Sequence, residues 1–532
     1  MSEIKTVEFV FVLLLFFIVA FGVLARKLGT AYPIVMMIGG LLLSFVPGVP
    51  SVALDPDLVF LVVMPPLLYA SAWNTSWRDF RDNIVTISFL AFGLVIFTVL
   101  GVAVAAPHVF TGFDWRLGLV LGAIVAPTDA IAATSIARRV GLPSRIVDIL
   151  EGESLINDAT GLLALQFTTA ILVEEHMPTF GEGFLTLAQL VAGGVATGLV
   201  IGWVVDQFER RIDDSPIEIT ISILVPYATY LAADNLHCSG VLAVVSCGLY
   251  LRRRSSQMFS PSVCMSAWSV WQALTFILNG LVFVLIGLQF PTIRASIRGT
   301  SLATTVFYGA IFSALLILLR LAWVFPEARL SYFVRTHTGH KDEPQPQPRQ
   351  TFVIGWTGMR GVVSLAAALA LPTMLMDGSP FPRRNTILFL TFCVILVTLV
   401  VQGLTLPPLI HLLKLAGDTG PDSEELEARH LVTEAAVAYL EDAKQKDHEH
   451  AADIYDDLAY HYRQRMASLV PAGEETPTSD HARRLEISLE ALRVERETAI
   501  RLRNEGRIND AVLKRLEREL DLSESHLANL EE

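Results

Sequence analysis

Apolar runs of membrane-spanning length recur along the chain, separated by short stretches of charge or turn residues. They predict helices near residues 7–25, 31–46, 56–73, 84–106, 116–138, 144–173, 184–207, 215–233, 238–251, 263–290, 299–324, 351–376 and 385–414. About 13 such spans describe an all-α polytopic membrane protein. After residue 415 the pattern changes to a turn-rich acidic linker, AGDTGPDSEE, followed by amphipathic helical patterns over 424–469 and 483–530 with PAGEETPTSD between them. The expected organisation is therefore a transmembrane domain over 1–415 and an acidic helical cytoplasmic domain over 416–532.

Two spans are interrupted. In LVLGAIVAPTDAIAATSIARR, Pro127 lacks a backbone donor and pushes Ala126 out of helical geometry, so the helix should open at Ala126, Pro127 and Thr128. In FVIGWTGMRGVVSLAAALALP, Gly355, Gly358 and Gly361 invite a similar break. These are the fifth and twelfth spans, so they run through the membrane in opposite directions. Paired interrupted helices in antiparallel halves point to a transporter with inverted repeats and a site at the midplane. Opening a helix in lipid frees carbonyls, which together with the Thr128 oxygen are hard ligands suited to a small cation; Asp129 adds charge beside them or caps the following half-helix.

Composition agrees with a membrane protein: 52% of the 532 residues are hydrophobic and 17% charged, with a mean hydropathy of +0.51. The net charge of −13 changes meaning once it is divided. Residues 416–532 hold 28 Asp and Glu against 15 Lys and Arg, while the first 415 residues hold 25 of each, so the whole excess lies in the tail. No basic domain supports a nucleic-acid partner. Cys238, Cys247, Cys264 and Cys393 show no metal-finger spacing and read as buried, inert thiols. No cofactor is expected, nor any metal beyond a transported cation.

Alternate loops should collect Lys and Arg on the cytoplasmic side. Arg26 and Lys27, Arg78 and Arg81, Arg138, Arg139 and Arg145, Arg210 and Arg211, Arg252 to Arg254, and the 329–349 group all fall on one side, which also receives the tail. This predicts a multi-pass protein of the cell (inner) membrane with its N-terminus outside and its C-terminus cytoplasmic. Arg294, Arg298, Arg383 and Arg384 fall on the other side. Six of the twelve histidines lie in the tail; solvated surface groups are their usual role, and sensing of cytoplasmic pH is the alternative.

The strongest chemical signal is EGESLINDATGLLALQ, which places Glu151, Glu153 and Asp158 in a segment otherwise apolar enough to cross a bilayer. In a helix starting near Pro143, Asp158 lies about 21 Å along it, near the middle of hydrocarbon that is about 30 Å thick. An ionisable group at that depth implies ion or proton handling, against the alternative that such residues only join helices. On a helical wheel Glu151, Ser154 and Asp158 share a stripe with Asn157 beside it, whereas Glu153 points away. Arg360 sits inside the second broken span and needs an acidic partner. Glu153 is the candidate, as a structural ion pair tying the two halves together.

These residues resemble those of the monovalent cation:proton antiporter family, in its sodium/proton exchanger branch with bacterial members. The resemblance covers residues 1 to about 415 and rests on LLYASAWNTSWRDFRDN after Pro65 and Pro66, APTDAIAATS, EGESLINDATGL, GWTGMRGVVSLAAALALP and VQGLTLPPL. It implies a homodimer, embedded in membrane lipid, in which a core bundle with two crossed discontinuous helices moves against a dimerisation domain. It implies that Asp158 is the ion- and proton-binding carboxylate with Asn157 as its partner, that Ser154 and Thr128 are oxygen ligands, that Asp129 works near the ion, and that Glu153 and Arg360 are a charged pair. Some relatives carry an acid in the third span where this chain has Ala70, between Tyr69 and Ser71.

The expected activity is exchange of a monovalent cation for H+, with Na+ the leading ion and Li+ or K+ its competitors, and with pH or potassium homeostasis as the alternative role. Asp158 would hold one cation or one proton in turn, an electroneutral 1:1 exchange by alternating access. From other classes, an intramembrane hydrolase using Asp129 and Asp158, or a membrane sensor with the tail as output, would need contexts that the sequence does not supply. The chain does not read as an enzyme.

Overall fold

The computed structural model of the chain describes residues 3–47, 54–173, 180–212, 214–258, 261–297, 302–337, 345–375, 378–416, 423–446, 452–467 and 490–502, with isolated positions from 505 to 523. The described residues form helices, with one isolated bridge between Met374 and Pro380 and no strand. The chain divides into two compact units, Met1–Asp418 and Thr419–Glu532.

Within the first unit, nine described helices are long and apolar enough to cross a bilayer. The pair Trp115–Val125 and Ala130–Arg139, bent by 40° at its break, makes a tenth if it is one span. The segments expected at 31–46, 238–251 and 351–376 are helical as well but fall outside this set. Tyr32–Leu43 has only 12 residues, Gly240–Met258 ends in charge, and the third is two short helices, Pro348–Trp356 and Val362–Leu369. The first interruption lies where Pro127 puts it, at residues 126–129; the second covers residues 357–361 with Gly358 and Gly361 in it, whereas Gly355 lies inside the helix Pro348–Trp356.

Turn chemistry explains the boundaries. Asp114 accepts a hydrogen bond from the Leu117 amide at 2.9 Å and starts the helix leading into the first break. Arg384 accounts for one exception to the charge rule: its Nη2 donates to the Leu369 carbonyl at 2.8 Å and its Nε to the Leu371 carbonyl at 3.0 Å. A cation at the C-terminus of the half-helix Val362–Leu369 satisfies carbonyls that have no helical partner, so its position follows from that helix end rather than from topology.

Three stretches widen into π-type turns, Val59–Val63, Phe89–Leu94 and Thr398–Gln402. Widening displaces carbonyls from the usual ladder, and side chains of neighbouring helices find them. The Thr160 hydroxyl donates to the Ala91 carbonyl at 2.7 Å, the Trp323 indole to the Phe89 carbonyl at 3.2 Å, and the Tyr227 hydroxyl to the Val62 carbonyl at 3.1 Å. The four cysteines are free; Cys247 is buried as expected, but Cys264 is exposed because it lies near the start of the helix Pro261–Leu288, on a face shared with exposed Met265 and Trp268.

In the second unit the segment expected as one helix over 424–469 is two, Ser423–Lys446 and Ala452–Ala467. They pack against each other, with Lys444 on Asp456 at 2.6 Å and Arg463 paired with Glu441. These ion pairs are exposed and add little to stability. The segment expected over 483–530 is helical across 490–502, and much of the rest, like the 447–450 DHEH run, lies outside the described residues.

The Thr160 bond makes a direct test of the widened turns. Thr160→Val keeps the shape of the side chain and removes the donor from the Ala91 carbonyl, and from the Asn157 carbonyl that it also reaches at 3.1 Å, at a cost of about 1–3 kcal/mol. Thermal unfolding in detergent should begin at a lower temperature; an unchanged midpoint would mean that this carbonyl does not depend on Thr160.

Candidate functional site

The two interruptions meet. The Asp129 amide donates to the Met359 carbonyl at 2.8 Å, and Arg360 Nε donates to the Val125 carbonyl at 3.0 Å. Arg360 also donates through Nη1 to the Gly358 carbonyl, and its amide donates to the Thr398 hydroxyl at 3.1 Å. Polar backbone exposed by one break is thus satisfied by the other, as the absence of water in hydrocarbon demands. The contact is close: a Cβ at Gly361 would stand 2.2 Å from Asp129 Oδ2, so no other residue fits there without displacing the carboxylate.

The helix Ser144–Val173 passes beside the crossing and presents its polar residues to it. The Ser154 hydroxyl donates to the Thr128 carbonyl at 2.9 Å and accepts from the Ala130 amide at 3.3 Å. Asn157 Nδ2 donates to the Thr128 hydroxyl at 2.6 Å, and that hydroxyl donates to Glu153 Oε1 at 3.0 Å. Asp129 caps the second half-helix by accepting from the Ile131 amide at 2.8 Å.

A cavity of about 510 Å³ opens against this crossing. Asp158, Asp129, Thr128 and Ser154 line it together, with Tyr32 and Asn279 on another wall and Arg138 and Glu151 also on its surface. Asp158 is 8% exposed, close enough to Asp129 for the two carboxylates to act on each other, and no hydrogen bond or ion pair reaches it among the described residues. Ala70, where an acid would otherwise be expected from the resemblance, lines the same space with Ser71.

Four of the five expected ion-binding residues therefore share one cavity, and the fifth does not. Asn157 is 1% exposed and is absent from the cavity wall; it acts on the site by holding the Thr128 hydroxyl. That hydroxyl is committed to Asn157 and Glu153, so Thr128 meets the cavity with less free oxygen than its side chain suggested.

The expected pairing of Glu153 with Arg360 is corrected by the geometry. Glu153 is held by Arg320, with Nη1 on Oε1 at 2.5 Å and Nη2 on Oε2 at 2.8 Å, both side chains 1% exposed. Arg360 instead spends its donors on carbonyls of the two breaks. Both guanidiniums act electrostatically on Glu153 and on each other, with Gly358 between them. Arg320 lay unrecognised because the apolar run suggested a span ending near residue 324, where an arginine reaches the interface unaided. The helix is Leu302–His337, 36 residues long, which puts Arg320 at its middle. Glu327, further along the same helix and 3% exposed, was missed for the same reason; it interacts with Glu153 and Arg335.

With this geometry established, likeness to known proteins can be stated. Residues 12–412 match the sodium/hydrogen exchanger transmembrane family. An uncharacterized Na+/H+ exchanger of Mycobacterium tuberculosis is 34% identical, the match covering 96% of this chain and 95% of that protein. The Na+/H+ antiporter ApNhaP of Aphanothece halophytica is 31% identical over 77% of this chain and 75% of its own length. A sodium, potassium, lithium and rubidium/H+ antiporter of Bacillus subtilis is 33% identical over 70% of this chain and 57% of its own. Among solved structures, the sodium proton antiporter MjNhaP1 of Methanocaldococcus jannaschii shares the fold, with a TM-score of 0.58 at 19% identity over 77% of this chain and all of that one.

The ion-pair geometry predicts a specific double-mutant cycle. Removing one partner of a buried pair costs about 3–5 kcal/mol because the other charge is left uncompensated. Arg320→Ala and Glu153→Ala should each destabilise the purified protein, and the double variant should lose much less than their sum. The Arg360→Ala and Glu153→Ala pair should be closer to additive. Stronger coupling to Arg360 than to Arg320 would contradict the assignment.

Proposed function

The chain belongs to the sodium/hydrogen exchanger family, and on that premise we propose that Asp158 carries its exchange of a monovalent cation for H+. It is a multi-pass membrane protein and an antiporter of Na+, K+ or Li+ against protons, the ions its named relatives exchange.

The observation that carries the reading is the unequal commitment of three neighbouring carboxylates. Glu153 is neutralised by Arg320, and Asp129 is engaged as a helix cap. Asp158 faces the cavity with no protein partner among the described residues. A carboxylate in that position needs a proton or a cation, and competition between the two for one group is sufficient for exchange. Ser154 and the backbone of the first break supply neutral oxygens around it, while Asn157 fixes Thr128 from behind.

The bound form is electroneutral in either case, because Asn157 is neutral and Asp158 takes one positive charge from either ion. Exchange of one cation for one proton then follows. Arg138 and Glu151 bring the cavity to the end where the helix Ala130–Arg139 gives way to Ser144–Val173, beside Arg139 and Arg145. By the positive-inside rule that end is cytoplasmic, so Asp158 is reached from the inside in this conformation and must be reached from the other side in a second. Alternating access, a homodimeric assembly, residence in the cell (inner) membrane and a role in pH homeostasis complete the proposal.

Reconstituted protein tests it. Cation-driven proton movement in liposomes, measured with Na+, Li+ and K+, should vanish in Asp158→Asn and should be unaffected by clamping the membrane potential. Full exchange by Asp158→Asn would remove Asp158 from its role, and exchange that generates a potential would overturn the 1:1 stoichiometry.

A further inference from the structure

Past the second break the chain re-enters helix at Val362, with Gly361 in extended backbone at φ −129° and ψ −151°. Ser364 is the third residue of the new half-helix. A serine within a helix ordinarily donates its hydroxyl to the carbonyl three or four residues back. For Ser364 those residues are Gly361 and Arg360, and both belong to the non-helical break. The local acceptor has been taken away by the same interruption that builds the site.

The consequence is visible in the structure. Ser364 is 1% exposed, and its Oγ has no hydrogen-bond partner among the described residues. Buried hydroxyls without a partner are rare enough to require a reason. Ser364 lines the cavity that Asp158 and Asp129 line, on a wall contributed by the second interrupted span.

We propose that Ser364 Oγ is a ligand of the transported cation, and that it helps set which alkali ion the site prefers. This rests on the reading of Asp158 as the exchanging carboxylate and extends it to an oxygen outside the first break and the Asp158 helix. The hydroxyl offers two lone pairs to a hard cation. The partial positive charge of the half-helix start opposes a cation there, and the two carboxylates in the same cavity outweigh it. When Asp158 carries a proton instead, the same lone pairs can accept from its hydroxyl, so Ser364 serves either guest without a change of fold. A ligand from this wall also makes the spacing between the two broken helices a determinant of the ion's size.

The test uses the full-length protein in liposomes, with proton flux driven by Na+, Li+ and K+ over a range of concentrations. Ser364→Ala should raise the apparent KM for the preferred cation about tenfold, as expected for loss of one ligand, with the maximal rate within about twofold. The relative KM values of the three ions should change. Ser364→Thr, which keeps the hydroxyl, should restore the wild-type KM, and Ser364→Cys, similar in shape but with a soft sulfur, should resemble Ala. Wild-type KM values for all three ions in the Ala and Cys variants would overturn the proposal. A loss of maximal rate at unchanged KM, shared by Ala and Thr, would also overturn it by indicating a packing role. Asp158→Asn measured alongside separates the two claims: silence of that variant with wild-type behaviour of Ser364→Ala removes only Ser364, whereas its continued exchange removes the underlying reading.

Discussion

Backbone polarity in hydrocarbon is the constraint on which the first unit depends. Two helices are interrupted where no water is available to their amides and carbonyls, and such groups are tolerated only when protein satisfies them. Here the breaks complete each other, through the Asp129 amide on the Met359 carbonyl and the Arg360 guanidinium on the Val125 carbonyl. Arg360 is better described as a backbone ligand than as a salt-bridge partner. Its charge is spread over carbonyl dipoles, which is how a fully buried guanidinium is accommodated beside a second one.

Charge placement follows from that arrangement. Two arginines, Arg320 and Arg360, lie near one glutamate, so this part of the crossing carries no spare negative charge of its own. The cavity side is the reverse, with Asp129 and Asp158 together and, among the described residues, no cationic side chain bonded to Asp158. The acid on the cavity side is uncompensated, whereas Arg320 is held by Glu153 and Arg360 by carbonyls of the two breaks. Segregating the two populations leaves Asp158 without neutralisation by the protein itself.

Much of this was legible in the sequence because it depends on residues with strong backbone consequences or a high burial cost. Pro127 located the first break, and of the three glycines read as opening the second, Gly358 and Gly361 lie in it while Gly355 stays helical. Asp158 stood out because an acid in the middle of a long apolar run has few explanations. Other features were not legible. The partner of Glu153 turned on how far the helix of Arg320 extends, and hydropathy ended that helix some thirteen residues early. Asn157 was placed on the correct face of its helix, but a wheel does not say whether the space in front of it is cavity or another side chain. Ser364 carried no signal at all, since a serine after a glycine-rich break is ordinary until its missing acceptor is seen in three dimensions.

The bidentate grip of Arg320 on Glu153 has a mechanical corollary. Asp158 lies little more than one turn from Glu153 on the same helix, and Arg320 fastens that turn to the middle of Leu302–His337, while Arg360 laces the two interrupted spans together. Four segments are thereby bolted at the level of Asp158. Any rearrangement that leaves these contacts intact moves the four segments as a single piston, with slip confined to its outer perimeter.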